Sequence, residues 1–300
     1  MARFGRVLTA MVTPFAADGS LDLDAARRLA RWLVDEGNDG LVVAGTTGEA
    51  PVLTDDERLA LVAAVAEAVT VPVIAGTATN DTAHSVHLTR QAAALGAAGV
   101  LAVTPYYNRP SQAGIEAHFR AVCASTELPV VVYDIPVRTG RKISTALLLT
   151  LAREVPNVVA VKDAAGNPAE TAVLMSQVPS GFELYSGDDG LTLPFLAVGG
   201  CGTIGVATHW TAGDHQELFS CWERGDVAGA RAVNASLLES FAFETGDEHP
   251  NPLPTKVMMN LFGHGVGEAR LPMGPPPPGL EGRARGVLER LERARAARRR

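Results

Sequence analysis

Apolar and polar positions alternate along the chain on two length scales. Short runs rich in Val, Ile and Leu predict strands at 7–12, 40–43, 72–76, 99–103, 130–133, 158–161, 183–186 and 203–206. Several are apolar throughout, as strands buried on both faces must be. Between them lie longer stretches such as "LDLDAARRLARWLVDEG" and "LTDDERLALVAAVAEAV". In these, Leu29 and Leu33, then Leu59, Val62, Val65, Ala66 and Val69, recur at spacings of three and four. That rhythm lays an apolar stripe along one side of a helix packed on a sheet. Thr54 before Asp55, Asp56 and Glu57 predicts a capped helix start, with acids in the first turn favoured by the helix dipole. Gly37, Gly96 and Gly99 follow predicted helices, where a left-handed cap is common.

Eight strands, each followed by a helix, predict an α/β fold of the (β/α)8 TIM-barrel type over residues 1–225. From about residue 226 the chain reads as helix, with "NPLPTK" and "GPPPPG" as breaks. This predicts a small C-terminal helical domain over 226–300, its final arginine run a fraying, solvated tail. A doubly wound sheet would need fewer strands and an early nucleotide fingerprint. The one G-x-G-x-x-G match, Gly200, Gly202 and Gly205, falls in the predicted eighth strand instead. It reads as a close backbone approach at the barrel mouth.

Composition narrows the function classes. The 300 residues are 47% apolar and 20% charged, which is ordinary for a globular protein with a sizeable core. The formal charge of −7 argues against nucleic acid as the main partner. No apolar run approaches the length of a membrane span, and "VLTAMVTPF" is too short for a signal-peptide core, which points to a cytoplasmic protein. Cys123, Cys201 and Cys221 are too scattered for a disulfide framework. His84 and His87 stand three apart, but no further Cys or His supports a metal site.

In a barrel of this kind the chemistry sits at the C-terminal ends of the strands. Strand two is followed by "GTTGEA" with Thr46 and Thr47, and strand four by "TPYYNRP" with Tyr106 and Tyr107. Strand five ends in "YDIPVRTG" with Tyr133 and Arg138, strand six delivers Lys162, strand seven "SGDDG" with Gly187, and strand eight Ile204. Taken singly, most have bland readings: glycines for turns, threonines and Asp188–Asp189 for helix starts, tyrosines for packing, Arg138 for a surface ion pair. Lys162 is the exception. It closes the apolar run "NVVAV", and a buried ammonium loses its hydration unless it is paired. Asp163, its neighbour, points to the opposite face of a strand. At an ordinary pKa of ~10.4 roughly one lysine in two thousand is neutral at pH 7. Burial lowers that pKa, and only the neutral amine attacks a ketone or aldehyde to give a Schiff base.

With "GTTGE", "TPYYNRP", "YDIPVRTG" and "VKDAAGN" together, nearly the whole chain resembles the dihydrodipicolinate synthase/N-acetylneuraminate lyase family of class I aldolases. The resemblance implies a lyase on the diaminopimelate route to lysine, condensing pyruvate with L-aspartate 4-semialdehyde. Lys162 would form the Schiff base. Tyr133, Thr47 and Tyr107 would relay protons, Tyr107 reaching in from a neighbouring subunit. Thr46 and Thr47 would hold the pyruvate carboxylate, Arg138 the carboxylate of the aldehyde, and Gly187 and Ile204 would line the pocket. No metal or organic cofactor is implied, and the expected assembly is a homo-oligomer, with a dimer of dimers suggested. The nearest rival within the resemblance is a lyase of sialic or keto-deoxy sugar acids. A non-catalytic keto-acid sensor should have lost part of the relay, which is complete here.

Two departures stand out. Asp134 replaces an asparagine common in such synthases, which reads as a change behind the site. The family's lysine-inhibition site maps onto Ala50, Pro51, Asp55, Arg58, Asn80, His84 and Tyr106. Arg58 and His84 in place of a histidine and a glutamate imply weak or absent inhibition by lysine.

Overall fold

Eight parallel strands close on one another in chain order in the computed structural model, which describes residues 2–298. They are β1 (Val7–Ala10), β2 (Gly40–Val43), β3 (Val73–Gly76), β4 (Gly99–Val103), β5 (Val130–Asp134), β6 (Val158–Asp163), β7 (Glu183–Ser186) and β8 (Gly202–Gly205). β8 pairs back onto β1 and seals the barrel. Around it run α1 (Leu23–Asp35), α2 (Asp55–Ala68), α3 (Thr82–Ala94), α4 (Gln112–Cys123), the one-turn α5 (Pro136–Thr139) and α6 (Thr145–Glu154). α7 (Pro168–Met175), α8 (Thr192–Ala197) and α9 (Thr208–Glu223) complete the ring. The expected cap at Thr54 is present as a full capping box: its hydroxyl accepts from Glu57 N–H while the Glu57 carboxylate accepts from Thr54 N–H.

Leu8, Val42, Ile74, Leu101, Val131, Ala160, Tyr185 and Ile204 fill the barrel interior. The alternate positions Val130, Val132 and Val161 face the helices, and a register irregularity early in β6 places Val158 in the same outer cluster. Residues paired across a parallel ladder face the same side. Tyr133 pairs with Lys162 across β5–β6, and Lys162 with Tyr185 across β6–β7, so all three point inward. β6 extends two residues beyond its predicted end because its pairing continues to Asp134 on one side and Ser186 on the other. Lys162 therefore lies inside a strand, held by neighbours on both sides.

Three local expectations are corrected. Gly99 opens β4 and caps no helix. The three glycines of the G-x-G-x-x-G match straddle β8: Gly202 opens it at the N-terminal end and Gly205 alone reaches the C-terminal mouth. The arginine tail is docked through Arg298. Asp214 on α9 is 4% exposed, and Arg295 donates to its Oδ2 at 2.6 Å while Arg298 donates to its Oδ1. A carboxylate that deep needs such partners, and α12 (Leu280–Arg298) supplies them.

α12 packs with α10 (Val227–Glu244) and α11 (Leu253–Leu261) against the barrel's outer helices. Phe241, Leu253, Met258, Leu280 and Leu291 share one apolar cluster with Leu29, Leu33 and Phe219. No helix among the described residues is long and apolar enough to cross a membrane.

Candidate active site

Lys162 is 4% exposed and stands at the end of the barrel interior, with Nζ 4.4 Å from the centre of the Tyr133 ring. Burial is the first cause that lowers its pKa to about 8; Asp189 and then Glu244 oppose the fall, and Arg138 adds to it. Asp163 points outward, as alternation requires, accepting from the Thr171 hydroxyl at 2.6 Å. Space beside the lysine is reserved by a glycine: a Cβ on Gly187 would lie 3.0 Å from both Cγ and Cε of Lys162. Ile204 is fully buried in the interior cluster below.

Burial pushes the Tyr133 phenol well above its usual pKa, with Arg138 and the Thr46 side chain pulling the other way. The phenol is therefore a proton donor at neutral pH. The Thr47 hydroxyl is engaged elsewhere, accepting from Asn251 Nδ2 at 2.9 Å. Thr46 lines the cavity together with Tyr133, so the two threonine side chains diverge in the turn after β2.

That turn is strained and secured. Ala44 and Glu49 both have φ of 56°, a region that costs a residue with a Cβ roughly 1 kcal/mol. Glu49 forms an ion pair with Lys256 on α11 at 2.8 Å and accepts from Arg270 N–H at 2.9 Å. Asn251 connects the same C-terminal segment to Arg138, whose Nη2 donates to Asn251 O at 3.4 Å.

Thr46, Tyr107, Tyr133 and Arg138 line one cavity of about 300 Å³ together with Tyr106, Arg58, Ala50 and Pro51. Tyr107 is 89% exposed on a backbone of φ 71°. Arg58 donates to Ala50 O at 2.7 Å, and His84 meets Asp55 at 2.8 Å. Asp134 faces away from the mouth, accepting from Ile143 N–H at 3.1 Å and lying 3.4 Å from Lys142 Nζ. Burial pushes its pKa up to about 6.

Sequence reading missed Asn251, Lys256 and Glu244 as parts of this region; Glu49 was seen only as part of the "GTTGEA" motif and Asp189 only as a helix start. Asn251 and Lys256 lie in the "NPLPTK" segment that reads only as a helix break. Glu244 carried a signal, an acid closing the apolar stretch "SFAFE".

A buried amine and an un-ionised phenol at the mouth of a closed parallel barrel equip the protein for imine chemistry on a small carbonyl compound. The chain belongs to the dihydrodipicolinate synthetase family, whose model matches residues 3–278. It is 50% identical over 275 residues to the 4-hydroxy-tetrahydrodipicolinate synthase of Moorella thermoacetica, covering 90% of this chain and 92% of that one. The synthase of Acidothermus cellulolyticus is 51% identical over 242 residues, 80% of this chain and 78% of its own. Among solved structures, the lysine-bound enzyme of Cyanidioschyzon merolae superposes with a TM-score of 0.94 at 38% identity, covering 97% and 99% of the two chains.

Proposed function

We propose that the chain is a 4-hydroxy-tetrahydrodipicolinate synthase, a Schiff-base lyase joining pyruvate to L-aspartate 4-semialdehyde. The observation that carries the reading is Lys162, an amine buried inside a strand with its pKa lowered to about 8 and a neutral phenol beside it. The neutral amine adds to C2 of pyruvate, and loss of water gives the iminium. The iminium withdraws electrons, C3 loses a proton, and the resulting enamine attacks the aldehyde carbon. The new alkoxide takes a proton from Tyr133, which is resupplied through Thr46 and Tyr107. The amino group of the aldehyde substrate then adds to C2, closing the ring and expelling the Lys162 amine. Backbone N–H groups of the Thr46–Thr47 turn suit the pyruvate carboxylate, with Gly187 and Ile204 shaping the space around the lysine. Arg138 suits the carboxylate of the aldehyde through its planar fork.

The exposure and left-handed backbone of Tyr107 support a homo-oligomer in which this residue completes the site of an adjoining copy. In this reading residues 1–225 are the catalytic barrel, 226–300 a helical domain bracing it, and the enzyme works in the cytoplasm. The Asp55–His84 pair and the cationic Arg58 support weak inhibition by lysine, which half-inhibition at submillimolar lysine would contradict.

Borohydride in the presence of pyruvate is expected to add one reduced pyruvate to Lys162, read by peptide mass. Unlabelled Lys162 overturns the reading. Turnover with aspartate semialdehyde against a sugar aldehyde then tests the second substrate.

A further inference from the structure

Two buried carboxyls close to this site have no part in the steps above. Asp189, just after β7, is 1% exposed, and Glu244, the last residue of α10, is 7% exposed. Both converge on one amide: Ala207 N–H donates to Glu244 Oε2 at 2.9 Å and reaches Asp189 Oδ2 at 3.4 Å. Val206 N–H gives Asp189 Oδ2 a further, shorter bond of 2.7 Å. The chain keeps room for this at Gly205, where a Cβ would come within 2.3 Å of Asp189 Oδ1. That oxygen has no hydrogen-bond partner; His215 Nε2, also unpartnered, lies 3.7 Å away.

Two carboxylates meeting at one N–H away from water cannot both be ionised. Amide donors favour the charged form, and Asp189 has two against one for Glu244. Burial, then the adjacent Asp189, drives the Glu244 carboxyl far above the usual range, so Glu244 is the member that keeps a proton.

We propose that Asp189 and Glu244 hold a single proton, on Glu244, and that the charge left on Asp189 is the fixed counter-charge of the iminium formed at Lys162. This rests on Lys162 being the imine-forming amine. The pair acts through its field, as a positioning device behind the lysine, and touches no substrate. The charged and titratable groups around it come from both strands and helices. Lys162 comes from β6, Tyr133 and Arg138 from β5 and α5, and Asp188 from the turn after β7. His209 and His215 come from α9, and burial lowers the His209 pKa to about 4, leaving that ring neutral. Asp189 is the foremost group favouring the ammonium of Lys162, and Arg138 opposes it.

Borohydride reduces the protonated imine, so the alkaline limb of pyruvate-dependent trapping reports loss of the iminium proton. In Asp189→Asn this limb is expected to move down by about one pH unit. In Glu244→Gln, where an amide replaces the carboxyl that already carries the proton, the limb is expected to stay in place. An unmoved limb in Asp189→Asn, or an equal shift in Glu244→Gln, overturns the proposal. Should Asp189→Asn fail to fold, infrared spectra decide: the wild-type enzyme should show the C=O band of a protonated carboxyl at neutral pH that Glu244→Gln removes. Absence of that band overturns the shared proton. If the wild-type enzyme traps no pyruvate at all, the reading of Lys162 fails, and the band still tests the pair.

Discussion

Replacing Lys162 by Met separates the chemical use of this amine from its cost to the fold. The side chain is 4% exposed, and its pKa falls from 10.5 to about 8. At pH 7 this raises the neutral fraction by about 300-fold. The same shift destabilises the protein. Below pH 8 the lysine is protonated in both states, and the folded state bears the full penalty, about 3 kcal/mol at 1.36 kcal/mol per pKa unit. Between 8 and 10.5 the unfolded chain binds the proton and the folded one does not, so the wild-type protein gains stability as pH rises. By pH 9.5 the penalty shrinks to about 1 kcal/mol. Met is unbranched, similar in length and uncharged. Lys162→Met should therefore lose nearly all turnover while being more stable at pH 7, with about 2 kcal/mol of that gain gone at pH 9.5. Urea denaturation of both proteins at the two pH values measures it. An advantage that does not change with pH, or a variant less stable than wild type at pH 7, would refute the claim that burial of a charge tunes the amine.

Four further outcomes are expected. Arg138→Ala should still be labelled by pyruvate and borohydride, while kcat/KM for the aldehyde falls on the order of 10²-fold; loss of labelling would refute the division of roles. Thr46→Val should lower kcat more than Thr47→Val, which should act mainly on the KM for pyruvate; steady-state kinetics of the two variants decide. Asp134→Asn should be more stable than wild type at pH 7.5 by up to about 3 kcal/mol. A carboxyl with its folded pKa raised from 3.8 to about 6 loses stability as pH rises through that window, so the gain should vanish near pH 3.5. Lys256→Met strands Glu49 in a buried position and should cost about 3–5 kcal/mol in denaturation, whereas Glu49→Gln with Lys256→Met should recover part of it.

The barrel was legible because its signal is local and repeated. A buried parallel strand must be apolar on both faces and a covering helix on one, and eight repetitions leave little choice of topology. Lys162 was legible for a related reason: an amine ending such a run contradicts its surroundings, and contradictions of that kind mark chemistry. The two threonines were not separable, since adjacent residues in a turn differ in direction by backbone angles that neither side chain reveals. The arginine tail misled because charge runs usually remain solvated, and nothing near Arg295 or Arg298 announces Asp214, whose buried oxygens require them. Strand ends were accurate to within one or two residues, yet at β6 those residues decide whether the lysine sits on a loop or within a paired strand.

What escaped reading at the strand-end motifs is how they are held: each is tied to a partner more than a hundred residues away. Glu49 meets Lys256, Thr47 meets Asn251, and Arg138 meets the carbonyl of Asn251. Each motif near the strand ends was recognisable by its own composition, but what holds it in place comes from the segment after α10. The turn bearing Thr46 and Thr47 carries two residues in left-handed conformations, and such strain persists only where surroundings over-determine it. Here the surroundings are two side chains and one backbone amide from residues 251–270. The C-terminal segment thus braces the barrel mouth, and truncation before Asn251 should disorder the turn after β2 even if all eight strands remain paired.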